Sequence, residues 1–195
     1  MIPLLLTICL LCTIVLSSEN QRVTPKECSI IRTRAAKWKP SPSDPYNDAD
    51  LVYHQIYLGN VCAAHNDSWL DQVGITLVVS VASEWSFLPY QGQRNIEFEY
   101  YEMEDVAFGD IKGIKKLWKE ISYRIHNHLQ EDDTHKVLVH CNMGISRSSS
   151  VVLWYLQHLE LITTPYETLE GIIKGRRPVI KPNSLFRKIL RSEDY

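Results

Sequence analysis

Apolar and polar positions along this chain switch between the two-residue period of strands and the 3.6-residue period of helices. Residues 51–58 alternate enough for one strand, closed by Gly59-Asn60. Residues 62–73 read as a short amphipathic helix ended by Gly74. Residues 75–81 (I-T-L-V-V-S-V) are β-branched and apolar, the pattern of a strand covered on both faces. Residues 96–103 form a further, aromatic-rich strand. Over 110–129, Ile111, Ile114, Trp118, Ile121 and Ile125 recur at helical spacing, which predicts a long helix with one buried face. A short buried strand is predicted over 137–140 and an apolar helix over 148–161. Two more helices follow over 166–174 and 183–190, with Pro178 and Pro182 between them. Strands alternating with helices predict an α/β domain with a central mixed sheet of about five strands flanked by helices.

Ahead of that domain the pattern changes. Residues 2–16 are an almost unbroken apolar run, shorter than the roughly 20 residues of a full membrane span and suited to a signal-peptide core. Val15 and Ser17 offer small residues before a cleavage point. No Lys or Arg precedes the run, whereas Arg22, Lys26, Arg32, Arg34, Lys37 and Lys39 follow it. By the positive-inside rule a retained anchor would keep that basic side, and the domain, in the cytosol. Two localisations stay open: the secretory pathway after cleavage, or membrane association through the apolar segment with a cytosolic domain. Residues 37–50 (K-W-K-P-S-P-S-D-P-Y-N-D-A-D) carry three prolines among Ser, Asp and Asn, a linker rather than a helix or strand. The expected organisation is a leader over 1–18, a basic Pro-containing linker over 19–49 and one folded domain over 50–195.

Composition narrows the function. The 195 residues are 45% hydrophobic and 23% charged, enough for one domain with a sizeable core. A formal net charge of -2 argues against a general nucleic-acid binder. Of five cysteines, Cys9 and Cys12 lie in the leader, which leaves Cys28, Cys62 and Cys141. Three scattered cysteines do not read as a disulfide framework or a zinc site, and they favour a reducing compartment or a fold that needs no disulfide. Asn66-Asp67-Ser68 is the one glycosylation sequon.

The candidate chemistry lies in residues 137–151, V-L-V-H-C-N-M-G-I-S-R-S-S-S-V, a strand, a loop and the start of a helix. Loops at the carboxyl ends of strands in α/β sheets are where ligands bind. The helix turns its free N–H groups into this loop, which makes an anion site. Gly144 lets the backbone curl into a nest for phosphate-like oxyanions, and Arg147 adds a fork that grips two oxygens. A helix N-terminus and nearby cations favour a thiolate over a thiol, so Cys141 at the mouth of the nest faces the bound anion as a nucleophile.

H-C-N-M-G-I-S-R-S matches H-C-x-x-G-x-S-R-S and resembles the active-site loop of dual-specificity protein phosphatases, within the cysteine-dependent tyrosine phosphatase superfamily. I-Y-L-G-N and G-I-T-L-V-V-S-V-A look like that family's first two strands, and R-R-P-V-I-K-P-N-S-L-F looks like its R-P-x-x-x-P-N-x-x-F close. The resemblance covers nearly all of 50–191. It implies a phosphatase of phosphotyrosine and phosphoserine or phosphothreonine esters in proteins, acting through a phosphocysteine on Cys141 without a metal or cofactor. Asn142, Met143, Gly144, Ile145, Ser146 and Arg147 would hold the phosphate, Ser148 would donate to the leaving thiolate, and His140 would orient the loop or simply fill the core. The family places an acidic Asp between a strand and the long helix. Asp105 in Y-Y-E-M-E-D-V-A-F-G-D fits, with Glu102, Glu104 and Asp110 as rivals. Asp110 also reads as a helix N-cap. Asn183 either braces the loop or caps the last helix.

Lys112, Lys115, Lys116 and Lys119 read as a solvated helix face, and Arg176 and Arg177 as a weak second basic patch. Other readings are a phosphoinositide or RNA 5′-triphosphate phosphatase, or a catalytically inactive phosphoprotein-binding module. Asn142, Met143 and Ile145 bring no cation for extra phosphates, and Cys141 and Arg147 are both retained.

Overall fold

A computed structural model describes residues 22–38, 47–83, 92, 95–161 and 163–192. The apolar leader and most of the Pro-rich stretch lie outside these residues. Among the described residues no helix is long and apolar enough to cross a membrane.

Five strands form one mixed sheet: β1 (Ala49–Tyr53), β2 (Ile56–Asn60), β3 (Leu77–Val81), β4 (Glu97–Tyr101) and β5 (Val137–Cys141), in the order β1-β2-β5-β3-β4. The pairs β2·β5, β5·β3 and β3·β4 are parallel, and β1·β2 is antiparallel. The single strand expected over 51–58 is thus a hairpin. Tyr53 pairs with Ile56, and His54 turns the chain with a φ of 39°. The polar pair His54-Gln55 interrupts an otherwise continuous alternation, which is why the pattern alone ran the two strands together.

Every residue of β3 and β5 is buried because helices cover both faces. Leu77, Val79, Val81, Val137 and Val139 face the larger core, built with α4 (Ile111–Glu131), α5 (Arg147–Tyr155), α6 (Tyr166–Arg176) and α7 (Ser184–Arg191). There Trp118 is fully buried with its ring 5.5 Å from Trp154 and 5.3 Å from Phe186. Val78 and Leu138 point the other way, onto Ala63 and Ala64 of α2 (Val61–Ala64) and Leu70 of α3 (Asp67–Val73). The helix expected over 62–73 is split at His65-Asn66, where Asn66 caps the second piece. Gly74 ends it in the left-handed region at φ 81°. The helix expected over 148–161 turns from α to π geometry at Leu156–Glu160.

The segment expected to be a linker holds the largest surprise. Pro25–Ala36 is a helix, α1, started by a capping box in which Thr24 and Glu27 satisfy each other's backbone N–H and Pro25 takes the first turn. Its buried residues Cys28, Ile31 and Ala35 share one face. Cys28 and Ile31 pack with Val23 on Val61 and Cys62. Cys28 and Cys62, 34 residues apart with Cα atoms 5.7 Å apart, form a disulfide. The expectation that the three body cysteines need no disulfide is therefore corrected. Docking of α1, invisible in cysteine spacing, brings the two thiols together. The Pro-rich stretch also gives way to sheet at Ala49, where β1 begins.

Candidate active site

The loop of interest leaves the carboxyl end of β5 beside β2, with Asn60 paired to Cys141. Its carbonyls are taken up from outside. Asn142 O accepts from Val61 N–H (3.2 Å), Gly144 O from Arg177 Nε–H (2.9 Å), and Ile145 O from Lys181 N–H (2.8 Å). With the carbonyls turned outward, the amides turn inward, and the Gly144 N–H donates to Cys141 Sγ at 3.2 Å. Gly144 has φ 66°, and a Cβ there would come 2.4 Å from Gly59 O and 2.6 Å from an Arg177 nitrogen. Only glycine allows both the backbone turn and this approach.

Cys141 is the free thiol among the described residues and is 2% exposed. The Ser148 hydroxyl donates to its Sγ at 3.2 Å. Ser149 and Ser150 are fully buried beside it. Their hydroxyls donate to the carbonyl of Ser146, and that of Ser149 also reaches Ile145 O, closing the loop onto α5. Arg147, 4% exposed, opens α5 and donates to Met103 O at 3.1 Å, which ties the loop to the segment carrying the candidate acid.

Asp105 meets the loop. Its Oδ1 accepts from Ser146 Oγ and from Asn183 Nδ2, both at 2.7 Å. Asn183 also donates its backbone N–H to Ser146 Oγ (3.1 Å) and caps α7 by accepting from Phe186 N–H (2.9 Å). Both readings of Asn183 are therefore satisfied at once. Of the rival acids, Asp110 caps α4 through Lys112 N–H; Glu102 and Glu104 are exposed, as Asp105 is, and the bonds to Ser146 and Asn183 are what single out Asp105.

Residues 56–194 match the family described as dual specificity phosphatase, catalytic domain. The chain belongs to the dual specificity phosphatase family. Human dual specificity protein phosphatase 13B is 34% identical over 153 residues, covering 76% of this chain and 73% of that protein. A Dictyostelium discoideum MAP kinase phosphatase with leucine-rich repeats is 29% identical over 133 residues, covering 68% of this chain and 14% of that longer protein. The solved structure of DUSP15 superposes with a TM-score of 0.64 at 27% identity over 75% of this chain and 86% of that one. This is a phosphoester hydrolase fold, and the sheet and its helices agree with the expected class.

The phosphatase loop gains supports that sequence reasoning missed. Arg177, read from sequence as part of a basic patch, is 1% exposed and pairs with Asp50 at 2.6 Å while holding Gly144 O. It is a brace beneath the loop, whereas Arg176 is exposed. Ala35 of α1 packs on Ile145 and Val179 with Met143 against them, so a helix outside the family match backs the phosphate loop. Lys112, Lys116 and Lys119 face solvent.

His140 is buried, and its Nδ1 lies 3.4 Å from the Cys141 carbonyl. Burial pulls its pKa down to about 3, with help from His65. His65 is itself lowered to about 4 by burial and by Arg22. His128, Glu131 and His135 bring ligand atoms within 4.8 Å of one another. The two imidazoles are stacked 4.1 Å apart at 14°, and His128 Nε2 and His135 Nδ1 lie within hydrogen-bond distance of Thr76 Oγ1 (2.8 Å) and the His128 carbonyl (2.7 Å).

Proposed function

We propose that this chain hydrolyses phosphotyrosine and phosphoserine or phosphothreonine esters in proteins through a phosphocysteine on Cys141. The observation that carries the reading is the Cys141 sulfur at the floor of an amide-lined loop, held by the Gly144 N–H and the Ser148 hydroxyl. In the first step Sγ attacks phosphorus in line. The S–P bond forms, the ester P–O bond breaks, and Asp105 delivers its proton to the leaving oxygen. The loop amides from Asn142 to Arg147 and the Arg147 guanidinium hold the equatorial oxygens as their charge shifts. In the second step Asp105 takes a proton from water, water oxygen bonds to phosphorus, and the S–P bond breaks. The Ser148 hydroxyl steadies the departing thiolate. Asn142, Met143 and Ile145 add no cationic side chain to the loop, which favours a monoester over a polyphosphate.

Substitution Cys141→Ser is expected to abolish hydrolysis of a small aryl phosphate; surviving turnover would overturn the nucleophile. Asp105→Asn is expected to slow poor leaving groups far more than activated ones, and an equal effect on both would point to another acid. An inert wild type that still retains phosphopeptides would identify a binding module instead.

A further inference from the structure

Asn66-Asp67-Ser68 lies four residues beyond the disulfide cysteine Cys62 and is not used by the phosphatase chemistry. Disulfides persist in oxidising compartments, which are also where N-linked glycans are added. Three features of the fold suit Asn66 as an acceptor. The residue is exposed, as is Ser68. Its Oδ1 accepts from Trp69 N–H at 3.1 Å, so the cap uses the oxygen and a sugar on Nδ2 leaves it intact. An open cleft of about 360 Å³ adjoins it, lined by Arg32, Asp48 and Trp69 among others, with polar groups and an aromatic ring able to meet a first sugar.

We propose that Asn66 carries an N-linked oligosaccharide, added along the same secretory route on which Cys28–Cys62 is oxidised. The Asn66 amide nitrogen bonds to the anomeric carbon of a polyprenyl-diphosphate-linked oligosaccharide. The carbon–oxygen bond to the diphosphate breaks, the amide loses one proton, and the lipid diphosphate leaves. The cysteine pair forms by exchange with an oxidised thiol–disulfide oxidoreductase. That enzyme takes up the two electrons and becomes a dithiol. The apolar run at 2–16 supplies a segment of the length that enters this route. Cys141 is left out of that disulfide: it is the free, buried thiol among the described residues, and Cys62, two residues beyond its strand partner Asn60, is already bonded to Cys28.

The test uses the full chain in a cell with a secretory pathway. The product is followed by gel mobility with and without an N-glycan-releasing amidase, and its free thiols are counted by alkylation. A slower band collapsed by the amidase is expected, together with alkylation at Cys141 and protection at Cys28 and Cys62. Asn66→Asp keeps the capping oxygen but not the sequon and is expected to lose the shift. Ser68→Ala should lose it too, while Ser68→Thr should keep it. An unshifted wild-type band overturns the proposal, and so does a shift that survives Asn66→Asp. Phosphatase activity is read separately, so neither result bears on the nucleophile.

Discussion

At Asp105 two donors meet one oxygen. Ser146 and Asn183 both bond Oδ1, which fixes the carboxyl plane and leaves Oδ2 as the oxygen outside these bonds. In the proposed reaction Ser146 is thus a positioning residue that couples the acid to the phosphate loop. Ser146→Ala is expected to lower kcat on poor leaving groups by about tenfold, the rate equivalent of one hydrogen bond of roughly 1.4 kcal/mol, with little change in KM. Steady-state kinetics on aryl phosphates of graded leaving ability checks this, and equal losses across the series would refute it. The buried histidines set a second residue-scale prediction. An unfolded histidine titrates near pH 6.5, whereas burial holds His140 down to about 3 and His65 to about 4. Between those limits the unfolded chain binds protons that the folded chain refuses. Stability is therefore full above pH 6.5 and is lost as the pH falls towards the folded values. Replacing His140→Asn should remove about 2 kcal/mol of the stability lost between pH 7.5 and pH 5. Urea unfolding of both proteins at the two pH values measures it.

Among the elements, α1 decides how firmly the phosphate loop is backed. Ala35 has no exposed surface and sits against Ile145 and Val179, so a larger side chain there must push on the loop. Ala35→Leu is expected to cost about 1–3 kcal/mol of stability and to depress kcat/KM, whereas Leu at the exposed neighbouring Ala36 should change neither. A folded Ala35→Leu enzyme with unchanged kinetics would show that α1 packs there without constraining the loop. This helix was legible in part. T-P-K-E at 24–27 is a capping-box signature, and Cys28, Ile31 and Ala35 fall at helical spacing. The prolines and basic residues around it masked the signal. By contrast the loop itself was readable because its needs are local: a left-handed glycine, a buried strand before it and a helix after it. The same holds for Asn183 as a cap. What stayed hidden joins distant positions. Ser146 meets Asp105 across 41 residues, Arg177 meets Gly144 across 33, and Cys28 meets Cys62 across 34. No period or cap encodes such pairings; the packing of the sheet creates them.

For the molecule as a whole, the Cys28–Cys62 bond turns a separate-looking N-terminal segment into part of the catalytic domain. It closes a 34-residue separation, for which the chain-entropy relation gives about 4 kcal/mol. Other ties hold the same segment: Arg22 pairs with Asp67 at 2.6 Å, Val23 N–H donates to His65 Nδ1 at 3.0 Å, and Arg32 pairs with Asp48. These ion pairs are partly exposed and contribute little each. The covalent link should therefore dominate, and the double substitution Cys28→Ser with Cys62→Ser is expected to lower Tm by on the order of 10 °C. Reductant then acts on the wild type in two opposed ways. It keeps the Cys141 nucleophile from oxidation, which raises activity, and it frees α1 from behind Met143 and Ile145, which lowers it. The double variant has only the first response. Activity against reductant concentration should rise and then fall for the wild type when measured just below its Tm, and should only rise for the variant measured at the same distance below its own. If the two curves superpose, the disulfide does not support the loop.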